Sequence, residues 1–172
     1  VQLVPTKSAR GYFVLGADGG VFTFGDAAFY GSTGNMRLNG RIIAMELTAT
    51  GRGYWLLGQD GGIFSFGDAA FYGSTGNLRL SAPIVGMAPT LSGAGYWLLG
   101  ADGGVFSFGD AAFYGSTGNL RLAAAVNGIT PTVNGAGYWL VAQDGGVFTF
   151  GNAAFHGSLP GYGFCSTTAS LK

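Results

Sequence analysis

Apolar and polar positions alternate along this chain in short bursts, and the bursts recur. The stretch GYWLLGADGGVFSFGDAAFYGS, which begins at Gly95, has counterparts beginning at Gly11, Gly53 and Gly137. The period is 42 residues, with no insertion or deletion between copies. Within a unit, Val85–Thr90 is a short apolar run that closes on Pro89-Thr90. Its counterparts are Val1–Thr6, Ile43–Thr48 and Asn127–Thr132, and the second has Leu47 in place of the proline. A variable polar turn, Leu91–Ala94, follows, as expected of a solvent loop. Tyr96–Leu99 is apolar throughout, which fits a strand buried on both faces. Asp102-Gly103-Gly104 then makes a tight turn, because glycine accepts the positive φ that such turns demand. Val105–Phe108 alternates with period two. Gly109-Asp110-Ala111 turns the chain again into Ala112–Gly115, and Ser116–Ala124 leads to the next unit.

The pattern predicts four antiparallel strands per unit, A to D, with no helical period. Four strands in a repeat of this length predict a β-propeller blade. One blade cannot bury both of its faces, so stacking on neighbours must do so. The expected architecture is therefore all-β: a four-bladed β-propeller with four antiparallel strands per blade. It forms a single domain over 1–168, with blades 1–42, 43–84, 85–126 and 127–168 and a tail at 169–172. Gln2, Ala44, Gly86 and Gly128 are mostly small residues near the start of strand A, which suits a narrow four-bladed axis. Part of a larger propeller is the main alternative, and a β-solenoid a lesser one. The fourth copy departs from the pattern at Asn152, His156 and Ser158–Gly161, as terminal repeats do. Repeat one has Phe13 where the others have Trp55, Trp97 and Trp139.

Composition narrows the function. Charged residues are 9% of the chain and the formal net charge is zero. That disfavours a nucleic-acid or anionic-membrane partner held by bulk charge, and it leaves self-association open. Glycine supplies 34 of 172 residues, but aromatics reach 15% and the glycines hold fixed repeat positions, so the chain is not expected to be disordered. No apolar run is long enough to cross a membrane as a helix. The single cysteine, Cys165, reads as an inert thiol rather than a link to another chain.

The repeat GYWLLGADGGVFSFGDAAFYGSTGNLRL resembles one found in secreted and cell-surface proteins of high-GC Gram-positive bacteria. The resemblance spans all four units. It implies a propeller-like fold, a secreted or cell-surface location, a binding or scaffolding role and an attached enzyme domain in some members. It implies no site residues.

Candidate chemistry follows from the meander. The B–C turn and the D-to-A connection should emerge on one face, and the A–B and C–D turns on the other. Asp18, Asp60, Asp102 and Asp144 would then share a face with Asn35, Arg37, Asn77, Arg79, Asn119 and Arg121. The functional reading is recognition of a cell-wall or extracellular glycan. Amides and guanidiniums would bond hydroxyls, and Tyr30, Tyr72 and Tyr114 would stack on sugar rings. The bland reading is that each Asp caps its own turn and each Arg pairs locally. Asp26, Asp68, Asp110 and Asn152 also suit turn capping, since Asn serves as well as Asp there, and their spacing lacks the acidic density of a calcium loop. The Tyr-Trp pairs read first as packing between blades. His156 is the lone histidine, without a partner pattern, and the glycine-rich turns lack a following helix. An enzyme, a cofactor and a metal are therefore not expected. The alternative function is a structural subunit of a surface assembly or filament.

Overall fold

The computed structural model describes residues 1–162; Cys165 and the expected tail lie outside the described residues. Twelve strands form four separate three-stranded antiparallel sheets. They are β1 (Gln2–Pro5), β2 (Gly11–Leu15) and β3 (Val21–Gly25) in the first blade, and β4 (Ile42–Leu47), β5 (Gly53–Gly58) and β6 (Ile63–Gly67) in the second. The third holds β7 (Ile84–Pro89), β8 (Gly95–Gly100) and β9 (Val105–Gly109), and the fourth β10 (Val126–Pro131), β11 (Gly137–Ala142) and β12 (Val147–Gly151). A single 3-10 turn spans Leu159–Tyr162. Within each blade the central strand pairs with both others, for example Trp97 with Ala88 and with Ser107.

The expectation of four strands per blade is corrected to three. The segment expected as strand D leaves the sheet and lies between its own blade and the next. Its backbone groups are satisfied by side chains rather than by a ladder. Trp97 Nε1 donates to Ala112 O at 2.8 Å from within the same blade. From the following blade, Tyr138 Oη accepts from Tyr114 N at 3.2 Å and donates to Gly115 O at 2.6 Å. The same trio recurs with Trp55, Ala70, Tyr96 and Gly73, and the tyrosine half of it with Tyr54 and Gly31. Buried Trp and Tyr seek partners for their polar tips, and here a wedged backbone supplies them. Gly31, Gly73 and Gly115 sit at φ 140°, 132° and 134°, where a Cβ would run into Phe66, Phe108 or Phe150 of the next sheet.

The expectation of a closed four-bladed ring is also corrected. The first strands pack in series, β1 on β4, β4 on β7 and β7 on β10, but among the described residues β10 does not return to pack on β1. The result is an open array of four blades with three interfaces. Each interface holds its own core. Phe13, Leu15 and Val21 meet Met45, Tyr54 and Leu56. Trp55, Leu57 and Ile63 meet Met87, Tyr96 and Leu98. Trp97, Leu99 and Val105 meet Val126, Tyr138 and Leu140. Every blade thus shows one face to its predecessor, led by Tyr, and another to its successor, led by Trp or Phe. Edge-to-face aromatic pairs mark the seam: Phe13–Tyr54, Trp55–Tyr96 and Trp97–Tyr138, with ring centres 5.6 to 5.9 Å apart.

Candidate functional site

The two ends of the blades carry different chemistry. At one end, the turns between central and outer strands meet the connections to the next blade. Thr33 N donates to Gly19 O at 3.0 Å and Thr75 N to Gly61 O at 3.1 Å. Each connection then crosses to the following blade, where Gln59 N donates to Arg41 O and Ala101 N to Pro83 O, both at 2.9 Å. This face carries Asp18, Asp60, Asp102 and Asp144. Each carboxylate accepts from the amide two residues on, as in Asp102 Oδ1 with Gly104 N at 2.9 Å. These aspartates are therefore turn caps.

Asn35, Arg37, Asn77, Arg79, Asn119 and Arg121 are exposed on the same face. Among the described residues the ion pairs are Arg10–Asp26 and Arg52–Asp68 at 3.9 Å, so none of these three arginines is paired. Between them sit Met36, Leu78 and Leu120, each more than half exposed. A shallow cleft of about 250 Å³ beside Arg121 is lined by Asp102, Leu120, Leu122 and Ala123 to Ala125. Amide, guanidinium and apolar surface thus alternate around the array with threefold repetition.

Tyr30, Tyr72 and Tyr114 lie toward the other end. Tyr72 Oη donates to Gly93 O at 3.0 Å and Tyr114 Oη to Gly135 O at 3.1 Å, both in turns between first and central strands. Their rings pack on Tyr54, Tyr96 and Tyr138. The structure thus brings the Asn and Arg residues together on one face and sets the tyrosines apart from them, half-buried in the seams.

That second end is organised by a hydrogen-bond clasp across each blade. Thr90 Oγ1 donates to Asp110 Oδ1 at 2.8 Å, and Ser92 Oγ to Asp110 Oδ2. Thr48 and Thr50 hold Asp68 likewise, and Thr6 and Ser8 hold Asp26. In the fourth blade Asn134 and Asn152 complete the clasp, Asn152 Nδ2 donating to Asn134 Oδ1 at 2.9 Å. The hydroxyl donors hold the carboxyls of Asp26 and Asp68 below the usual carboxylate range, Ser8 first for Asp26 and Thr50 first for Asp68. A cleft of about 230 Å³ between blades three and four is lined by Asp110, Trp97, Tyr114 and Asn134 among others. Its hydrogen-bonding capacity is largely spent on the clasp.

The sequence pattern had not drawn attention to Glu46, the only glutamate in the chain. It stands on the first strand of blade two opposite Trp55 and lines a cleft of about 380 Å³ with Val4, Thr6 and Lys7. Burial pushes its pKa up to about 7, with Lys7 pulling weakly the other way. A charged residue inside an otherwise apolar strand run was the available signal. Among the described residues no three His, Cys, Asp or Glu side chains gather as a metal-binding group. No helix of the described residues is long and apolar enough to cross a membrane.

The geometry is that of propeller blades, and solved structures agree. The chain is similar to the β-propeller domain of Cps50 (Swd1) from Myceliophteria thermophila, with a TM-score of 0.58 at 12% identity, over 87% of this chain and 51% of that one. It is also similar to a protein of unknown function from Bacteroides thetaiotaomicron, with a TM-score of 0.56 at 15% identity, over 86% and 44% of the two chains. The C-terminal WD40 domain of Sif2 gives 0.50 at 16% identity, over 83% and 40%. The chain thus spans about half the length of these structures or less. No family model and no curated protein matches it. At such identities the likeness establishes the fold alone: a β-propeller-type repeat array.

Proposed function

We propose that this chain is a non-catalytic binding module of the cell exterior that recognises a cell-wall or extracellular glycan through its connection face. The observation that carries the proposal is the exposed Asn-x-Arg set at Asn35 and Arg37, Asn77 and Arg79, and Asn119 and Arg121, together with the apolar residue between each pair. Amide and guanidinium donors suit sugar hydroxyls, and the intervening Met36, Leu78 and Leu120 suit the apolar face of a pyranose ring. Three equivalent weak sites on one rigid array would bind a repeating polymer with avidity far above that of one site. The tyrosines are left out of this reading, because their rings and hydroxyls are already used between blades. The resemblance of the repeat to secreted and surface proteins supports the location.

Pull-down on insoluble cell-wall polymer and a glycan array test it. Binding should fall on the order of a hundredfold in an R37A/R79A/R121A chain as avidity is lost. An unchanged triple variant, or a parent chain that binds no glycan, contradicts the reading. A second role, as a structural subunit of a surface assembly, is favoured by the apolar surface at the two ends of the array.

A further inference from the structure

The two terminal faces of the array are the two halves of its own blade interface. Leu3 occupies in blade one the position of Met45 in blade two, yet it is 61% exposed where Met45 is 1%. Tyr12 is 40% exposed, while its counterparts Tyr54, Tyr96 and Tyr138 are fully buried. Phe22 and Phe24 of the same face are also exposed. Among the described residues no wedge segment meets the Tyr12 hydroxyl, and its ring stacks instead on Phe24 at 5.0 Å. At the far end Val141 is 40% exposed where Leu57 and Leu99 are at 0%, and Trp139 is only half-buried. Gly157 keeps the positive φ of Gly31, Gly73 and Gly115, at 119°. Yet among the described residues no sheet meets it as Phe66, Phe108 and Phe150 meet those three.

We propose that a second copy of this chain occupies these faces, so that two four-blade arrays close one ring head to tail. Trp139, Val141 and the Ala154–Gly157 segment of each copy would receive Leu3, Tyr12, Phe22 and Phe24 of the other. The three internal interfaces show that surfaces of this composition dock in this way, and the proposed junction continues the same series. The array is open rather than bent into a ring of four, and it overlays about half of a larger β-propeller domain, so two arrays supply the length of one such ring. A head-to-tail interface either closes or grows without limit, and closure after two copies is the form proposed here.

Sedimentation velocity of the full chain over a wide concentration range tests the proposal. The parent should reach a two-copy species and stop there. Leu3→Asp and Val141→Asp place a charge on opposite ends, at positions already exposed in the single copy. Each variant alone should dissociate at a concentration on the order of a hundredfold higher than the parent, because an unpaired carboxylate would be buried in the junction. Melting curves recorded at monomeric dilution should match the parent and so establish that both variants fold. The two variants mixed should pair again through one intact junction, less tightly than the parent, which gains the second junction at high effective concentration. A parent that stays monomeric at every concentration overturns the proposal, whether its own C-terminal residues or nothing covers the faces. Association unaffected by either aspartate, a mixture that does not pair, or growth past two copies overturns it as well.

Discussion

The seams between blades and the two ends of the array use the same residues in opposite states. Tyr96 is sealed between blades two and three, with its hydroxyl on Gly73 O, while Tyr12 is exposed and stacked on Phe24. Trp97 is buried against Tyr138, while Trp139 meets no tyrosine of a following blade among the described residues. One sequence pattern thus gives a packed interior or an open surface according to whether a neighbour is present. The blade alone is a three-stranded sheet with an apolar face on each side, and its stability comes from its neighbours.

That difference is testable by truncating the same residue type in both settings. Trp97→Ala removes a large buried side chain and leaves Ala112 O without its donor, and should cost about 3–5 kcal/mol in chemical denaturation. Trp139→Ala in the single copy should cost less than half of that, because the residue is only half-buried and meets no following blade among the described residues. Equal losses would erase the distinction between seam and end.

Glu46 offers a second contrast, between a half-buried carboxyl and the exposed, well-donated ones of the clasps. Its pKa is raised from 4.5 to about 7, so the folded chain prefers the protonated acid. Its contribution is fully favourable below about pH 4.5 and is lost as the pH rises through about 7. Glu46→Gln should therefore stabilise the chain by about 1–3 kcal/mol at pH 8.5 and leave it nearly unchanged at pH 4. Asp68 has the opposite sign. Its pKa is lowered, so its contribution is present above the ordinary value of 3.8 and is lost as the pH falls through its folded value. Urea midpoints of the parent and the Glu46→Gln variant from about pH 4 to 8.5 check the first sign, and those of the parent below the ordinary value of 3.8 check the second.

A smaller effect isolates the hydroxyl. Tyr96→Phe keeps the ring and removes both hydrogen bonds to the preceding wedge, and should cost about 1–2 kcal/mol. Tyr12→Phe should cost no more than about 0.5 kcal/mol in the single copy, since its hydroxyl meets no such segment. Burial also holds the Tyr54, Tyr96 and Tyr138 hydroxyls above the ordinary tyrosine range. Stability from these groups should therefore persist below pH 10 and fade as the pH rises through their folded values.

Much of this was legible in the sequence. The period and the Asp-Gly turns locate three of the four runs in every unit, and the A–B–C order with its two loop faces follows from the meander. Ala112–Gly115 was misassigned to a fourth strand because an apolar run reads alike in a ladder or in a groove. Its hydrogen-bond partners are the tips of Trp97 and Tyr138, far away in sequence, and local patterning does not see them. Ring closure was misjudged for a related reason. Small residues at Ala44, Gly86 and Gly128 suit first strands that pack on one another, as β4, β7 and β10 do, but they do not fix the turn from blade to blade. The tyrosines assigned to a ligand face went into the seams, because the segment that carries them left the sheet.

Native-state amide exchange, measured on the Leu3→Asp chain at monomeric dilution, tests the wedge most directly. Tyr30, Tyr72 and Tyr114 amides each donate to a buried tyrosine hydroxyl of the next blade, while the equivalent amide of His156 meets no such hydroxyl among the described residues. The account predicts slow exchange at the three tyrosines and fast exchange at His156. Comparable protection at all four positions would mean that the segment is held within its own sheet, and would contradict the account.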